Sequence, residues 1–166
     1  MALVVLALLA ACAGAPEAPD AGPYGCALRL ALDESSRAIG ARALARINAA
    51  SGCWLSENGG GVPIRVVPVV RNLKGRPVCG GTFVEHYKGK DYVTRIDISS
   101  EVPGCLDTES TAVHEIIHAM MGGKNIHSDS GVSSAKANDG TINASTLVTL
   151  CSDIDCPAFV PERGAS

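Results

Sequence analysis

Aromatic residues are scarce in this chain: one Trp, three Tyr and two Phe make up 4 % of 166 residues. A core must therefore come from Ala, Val, Leu and Ile, with tight packing or cross-links replacing the missing ring area. An excess of positive charge is missing too. The chain has 14 Lys and Arg against 17 Asp and Glu, a net charge of −3. No basic stripe runs along the sequence, so nucleic-acid binding has no electrostatic footprint. The longest apolar run, Ala2 to Ala11, is too short for the roughly 20 residues of a membrane-spanning helix. No CxxC pair occurs, which argues against a Cys-ligated metal. No internal repeat is visible. What remains is a chain 46 % apolar and 19 % charged, long enough for one ordinary globular domain and expected to be a monomer.

The apolar run ends in Leu9-Ala10-Ala11-Cys12. Its length suits the core of a secretory signal, and the four residues resemble the lipobox of bacterial lipoprotein signals, whose Cys is acylated and becomes the new N-terminus. No Lys or Arg precedes the run, a departure from that pattern. The resemblance implies a signal peptide over residues 1–11 and a lipidated Cys12. The Pro-, Ala- and Gly-rich residues up to 24 form a tether, and the domain proper spans 25–166. The lipid on Cys12 would hold the domain to a membrane without spanning it. Ala13 is not the acidic residue linked with inner-membrane retention, so the outer membrane is the expected location.

Six cysteines then remain, an even number that suits disulfides in an exported protein. Sequence does not choose among their connectivities. Cys151 and Cys156 are close enough to close a local loop, and Cys26–Cys53 and Cys79–Cys105 are the arrangement expected for the others. A first strand is expected over Gly25–Leu32, with Asp33 or Ser35 capping a helix. Ile39, Ala43, Leu44 and Ile47 share one face of that helix, which ends near Gly52. A strand follows over Ile64–Val70, with Pro68 demoting it to an edge or bulge. Two more strands, Thr82–Tyr87 and Tyr92–Ser99, flank a turn at Lys88–Asp91. Asp107, Thr108 or Ser110 caps a second helix running to about Met121, Gly122-Gly123 stops it, and Ala144–Cys151 forms a short last helix. This order implies an α+β domain built on one mixed, twisted sheet. Trp54, beside Cys53, reads as a core or disulfide-packing aromatic, and Arg95 as a solvated strand residue.

The second helix carries His114-Glu115-Ile116-Ile117-His118. Residues four apart on a helix are neighbours on one face, so both imidazoles point at one spot. Neutral imidazole suits Zn²⁺. Glu115 sits about 100° further round, where it flanks the metal and can deprotonate a water on its open position. Catalytic zinc sites commonly take three protein ligands. His127, just past the glycine break, is the favoured third. Asp129 and then Glu162 are the carboxylate alternatives, and His86 reads as a hairpin surface residue.

In this order of helix histidines, glycine turn and further histidine, the sequence resembles the metzincin metallopeptidases, and the matrixin-like enzymes within them. The resemblance is specific from Thr111 to about Asp129 and loose elsewhere. It implies a zincin-like fold, one Zn²⁺ on His114, His118 and His127, and hydrolysis of a peptide or protein substrate by a water that Glu115 activates. It also implies a substrate strand paired with an exposed sheet edge, for which the two hairpin strands are the candidates. Two departures stand out. His127 follows His118 by nine residues, further than in HExxHxxGxxH. Gly131-Val132-Ser133-Ser134 also occupies the place of the family's methionine turn without a methionine. These departures admit an alternative: a non-catalytic zincin-fold lipoprotein that serves as a binding or surface-interaction module.

Overall fold

A computed structural model describes residues 25–135 and 138–157. The expected signal peptide, Cys12, the tether and Glu162 lie outside the described residues. The strands are β1 (Arg29–Leu32), β2 (Ser56–Glu57), β3 (Val62–Val67), β4 (Val70–Arg71), β5 (Pro77–Val78), β6 (Gly80–Tyr87) and β7 (Lys90–Ser99). The helices are α1 (Arg37–Ser51), α2 (Thr108–Met120) and α3 (Ala144–Asp153). Five strands form a mixed sheet in the order β2-β1-β3-β7-β6. All neighbours are parallel except β6, which runs antiparallel to β7 at the edge.

Strand alternation sets the two faces. Leu30, Leu32, Ile64, Ile96 and Ile98 point to one side and join Ala43, Leu44 and Ile47 of α1 with Val113, Ile116 and Ile117 of α2 in one buried cluster. Aliphatic side chains thus build the core, as the shortage of aromatics requires. Gly40 lets α1 approach the sheet, since a Cβ there would stand 2.6 Å from Leu32. The opposite face carries Arg65 and Arg95, both paired with the buried carboxylate of Asp97. The three expected cysteine pairs all lie at disulfide distance.

Several local expectations need correction. Gly25–Ala27 is a 3₁₀ turn rather than strand, because Gly25 takes a left-handed φ of +83°. Asp33 does not cap α1 directly. Its carboxylate accepts from the Ser36 amide, 2.8 Å, in a turn that delays the helix to Arg37. The helix does end on Gly52, at φ 71°. Pro68 neither bulges nor marks an edge. Lacking an N–H, it ends β3, which is an interior strand between β1 and β7, and the chain resumes as β4. β4 and β5 form a second, two-stranded sheet in addition to the one expected. The turn between β6 and β7 has just two residues, Lys88 and Gly89, both at positive φ, the pairing that matches strand twist. α3 runs two residues past Cys151. Trp54 is 81 % exposed, because its neighbours Cys53 and Leu55 take the inward positions. Arg95 is not simply solvated: its guanidinium lies 3.8 Å from the Phe83 ring centroid and bonds Asp97.

Candidate metal centre

Asp107 starts the helix that carries the motif. Its carboxylate accepts from the Ser110 amide at 2.8 Å and from the Ser110 hydroxyl at 2.9 Å, satisfying helix-end donors that have no partner in the helix. α2 is buried on nearly every side, which holds its side chains in fixed directions. Gly122 and Gly123, at φ 69° and 80°, then turn the chain back, and the Gly123 amide donates to the His118 carbonyl.

Each helix histidine is tied down from behind. His114 Nδ1 stands 2.7 Å from the Val132 carbonyl, and His118 Nδ1 stands 2.8 Å from the Lys124 carbonyl. A carbonyl only accepts, so both Nδ1 atoms carry the proton and both Nε2 atoms present bare lone pairs. Those two Nε2 atoms lie 3.0 Å apart. Two lone pairs at that distance repel unless a proton or a cation lies between them. Protonation is disfavoured: burial lowers the affinity of both rings for a proton, taking His118 down to about 4. A divalent cation satisfies both, since nitrogens about 2.0–2.1 Å from one tetrahedral zinc stand about 3.3 Å apart.

His127 completes the group. Its ring centroid is 5.4 Å from that of His114 and 4.8 Å from that of His118, and the ligating atoms of all three lie within 4.8 Å of one another. Burial, then the neighbouring His114, lowers its proton affinity as well. Asp129 is exposed and outside the group. His86 sits at the far end of β6 against Asp91, 2.8 Å away, as a hairpin residue. The donor set of three neutral imidazoles fits Zn²⁺.

Glu115 points toward β6 and is 7 % exposed. Burial pushes its carboxyl up to about 7, against the lowering effect of the Thr82 hydroxyl. That hydroxyl lies 2.9 Å from Oε2 and 2.8 Å from the Glu115 carbonyl. Space for the side chain comes from Gly80, where a Cβ would stand 2.7 Å from Glu115 Cγ and 3.0 Å from Oε1. The three histidines, Glu115, Thr82 and Gly123 line one cleft of about 300 Å³.

Sequence reasoning missed Gly80, Thr82 and the two carbonyl partners of the histidines. The Gly80-Gly81 pair entering a strand was the one available signal, since strand glycines mark close approach. The carbonyl partners leave no trace in side-chain identity. Val132 is fully buried, and its carbonyl also accepts from Asn138. No family model, curated protein or solved structure matches the chain.

Proposed function

We propose that this protein is a zinc-dependent endopeptidase, displayed at the bacterial envelope by a lipid on Cys12. The observation that carries the reading is the convergence of three imidazole donors on one point, with a buried carboxyl beside them. When bound, Zn²⁺ would polarise a scissile carbonyl and acidify a water. His114, His118 and His127 would hold it, their orientation set by the Val132 and Lys124 carbonyls for the first two. Glu115 takes the proton and returns it to the leaving amine. Its raised proton affinity, near neutrality, suits both transfers. Thr82 holds the carboxyl through Oε2. A substrate in extended form would pair with the outer edge of β6. β7 does not serve this role, because β3 and β6 already flank it.

The zincin-like reading draws support from the antiparallel edge strand beside the motif helix and from the turn at Gly122-Gly123. The wider spacing to His127 has a local reason, since the extra loop brings the Lys124 carbonyl to His118. Val132 is buried in the stretch 131–134, where the family's methionine turn is expected. Among the described residues no helix is long and apolar enough to cross a membrane, so attachment would rest on the N-terminal segment. The test is Glu115→Gln in zinc-loaded protein. It should keep about one zinc per chain and lose about 10²–10⁴-fold in peptide hydrolysis. Hydrolysis at the parent rate, or a folded parent chain without zinc affinity, overturns the proposal.

A further inference from the structure

The fold adds cations of distant strands to a basic stretch of the sequence. From Asn58 to Val84 there is no carboxylate, yet Arg65, Arg71, Lys74 and Arg76 fall in this stretch of a chain whose net charge is −3. Arg65 lies on the sheet face away from the helices, together with Arg29 and Arg95. The β4–β5 hairpin packs on that same face. Gly80 points to Glu115, whereas the next residue, Gly81, points to Val70: a Cβ there would stand 3.5 Å from the Val70 side chain. The Val70 amide and the Val78 carbonyl both bond the Ser99 hydroxyl, anchoring the hairpin base.

Arg29, Arg65 and Arg95 of the sheet and Arg71, Lys74 and Arg76 of the hairpin therefore share this side of the molecule with the carboxylate of Asp97. Asp97 is buried and held by Arg65 and Arg95. Among the described residues, neither Lys74 nor Arg76 has an ion-pair partner. The hairpin tip is also built rather than slack. The Asn72 side chain accepts from the Lys74 and Arg76 amides, both at 3.0 Å. Arg71 Nη1 donates to the Gly75 carbonyl at 2.9 Å, and Gly75 takes φ +73°. This bonded loop presents Leu73 at its apex with a relative exposure of 107 %.

We propose that this face docks on an anionic lipid bilayer, with Arg71, Lys74 and Arg76 at the headgroups and Leu73 entering the acyl boundary. A fixed apolar apex ringed by cations suits lipid. Nucleic acid is the poorer fit, because the side chain these three cations surround is the aliphatic Leu73, which offers no base a stacking platform. The histidines and Glu115 belong to α2 and the loop after it, which lie on the other side of the sheet from the hairpin. The inference rests on these residues alone and holds whether or not Cys12 is acylated or the cleft hydrolyses peptides.

The full chain carrying Cys12→Ser, so that no lipid is attached, is mixed with phosphatidylcholine vesicles with or without 30 % phosphatidylglycerol, a composition chosen for the assay. The anionic vesicles should bind it more tightly, and 0.5 M salt should remove the difference. Replacing Arg71, Lys74 and Arg76 together by Gln should weaken binding by roughly 100-fold, at about fivefold per cation. Leu73→Trp in a Trp54→Phe background places the one tryptophan at the apex, where its emission should shift to the blue and be quenched by brominated acyl chains. Equal binding to both vesicle types, an unshifted emission, or no loss in the Gln variant overturns the proposal. Tighter binding to a single-stranded oligonucleotide than to anionic vesicles overturns it in favour of a polyanion site.

Discussion

Gly80→Ala adds one methyl group at the point where the edge strand meets Glu115. Gly80 has no positive φ, so the backbone accepts alanine and only space decides the outcome. The new Cβ would lie 2.7 Å from Glu115 Cγ, 3.0 Å from its Oε1 and 3.0 Å from Thr111 Cγ2. Ordinary contact needs about 3.5–4.0 Å, so either α2 or the Glu115 side chain must give way. Overpacking of this kind costs about 1–3 kcal/mol, which for a domain of this size lowers the melting temperature by about 3–10 °C. The displaced carboxyl should also lose hydrolysis by at least about 100-fold, since a 1 Å misplacement suffices for that. Zinc affinity should stay within a few-fold. The neighbouring change Gly81→Ala is the control. Its Cβ meets the Phe83 ring at 3.3 Å and Val70 at 3.5 Å, not Glu115, so although Gly81 also lines the cleft this change should cost much less activity than Gly80→Ala. Thermal melts of Gly80→Ala, Glu115→Ala and the double variant complete the cycle. Removing the Glu115 side chain relieves the clash, so the two losses should fall short of additive by about 1–2 kcal/mol. Additive losses, or an alanine at 80 as active as one at 81, would refute the reasoning.

Zinc titration should find that His127→Ala loses more than the roughly 10–100-fold that removal of an outer partner costs, while His86→Ala changes nothing; the opposite ranking sinks the ligand assignment. In metal-free protein, Glu115 binds its proton more tightly when folded, near 7, than at its ordinary 4.5. The folded state then holds the extra proton between those values, and its stability falls as pH rises through that window. Glu115→Gln abolishes the effect, so denaturation should show the variant gaining about 3 kcal/mol over the parent between pH 4.5 and 7. Parallel pH profiles would contradict the burial of this carboxyl. Among the disulfides, paired Ser variants at Cys26–Cys53 and Cys79–Cys105, with sequence separations of 27 and 26, should each lose about 3.5 kcal/mol. The variant at Cys151–Cys156, with a separation of 5, should lose about 2 kcal/mol, and a reversed order would show that chain entropy does not govern them.

Sequence alone exposes what is periodic or local. Ile39, Ala43, Leu44 and Ile47 declare the buried face of α1, Gly52 and Gly122-Gly123 declare helix ends, and His114 and His118 declare a shared face because four residues make about one turn. His127 was legible because a glycine turn limits where the chain can go. Tertiary partners are another matter. Nothing in the residue types of Val132 or Lys124 announces a carbonyl aimed at an imidazole. Trp54 misled because ring size argues for burial, whereas the buried neighbours Cys53 and Leu55 dictate that it faces out. The strand through Ile64 was legible, but its placement at an edge failed for a similar reason. Proline argued for an edge, yet ending the strand at Val67 removes the conflict and lets β3 lie in the interior. Arg29, Arg65 and Arg95 are far apart in the sequence and become neighbours only through strand register, where they join the local group Arg71, Lys74 and Arg76.

A binding module and a hydrolase could share this fold, and the cost of Glu115 separates them. A scaffold that only holds a metal needs ligands and their supports. It gains nothing from a carboxyl buried until its proton affinity reaches about 7, a cost of about 3 kcal/mol near neutral pH in the metal-free chain. An aliphatic residue at 115 would pack against β6 without that cost. Instead the chain gives up a side chain at Gly80 to make room, weakening the strand that borders the cleft, and spends the Thr82 hydroxyl on holding Oε2. Two positions, Gly80 and Glu115, thus work against local stability, and Thr82 bonds the carboxyl they place beside three imidazoles. Local rules are broken in this way where chemistry is done, and that is the reason for preferring catalysis to passive binding.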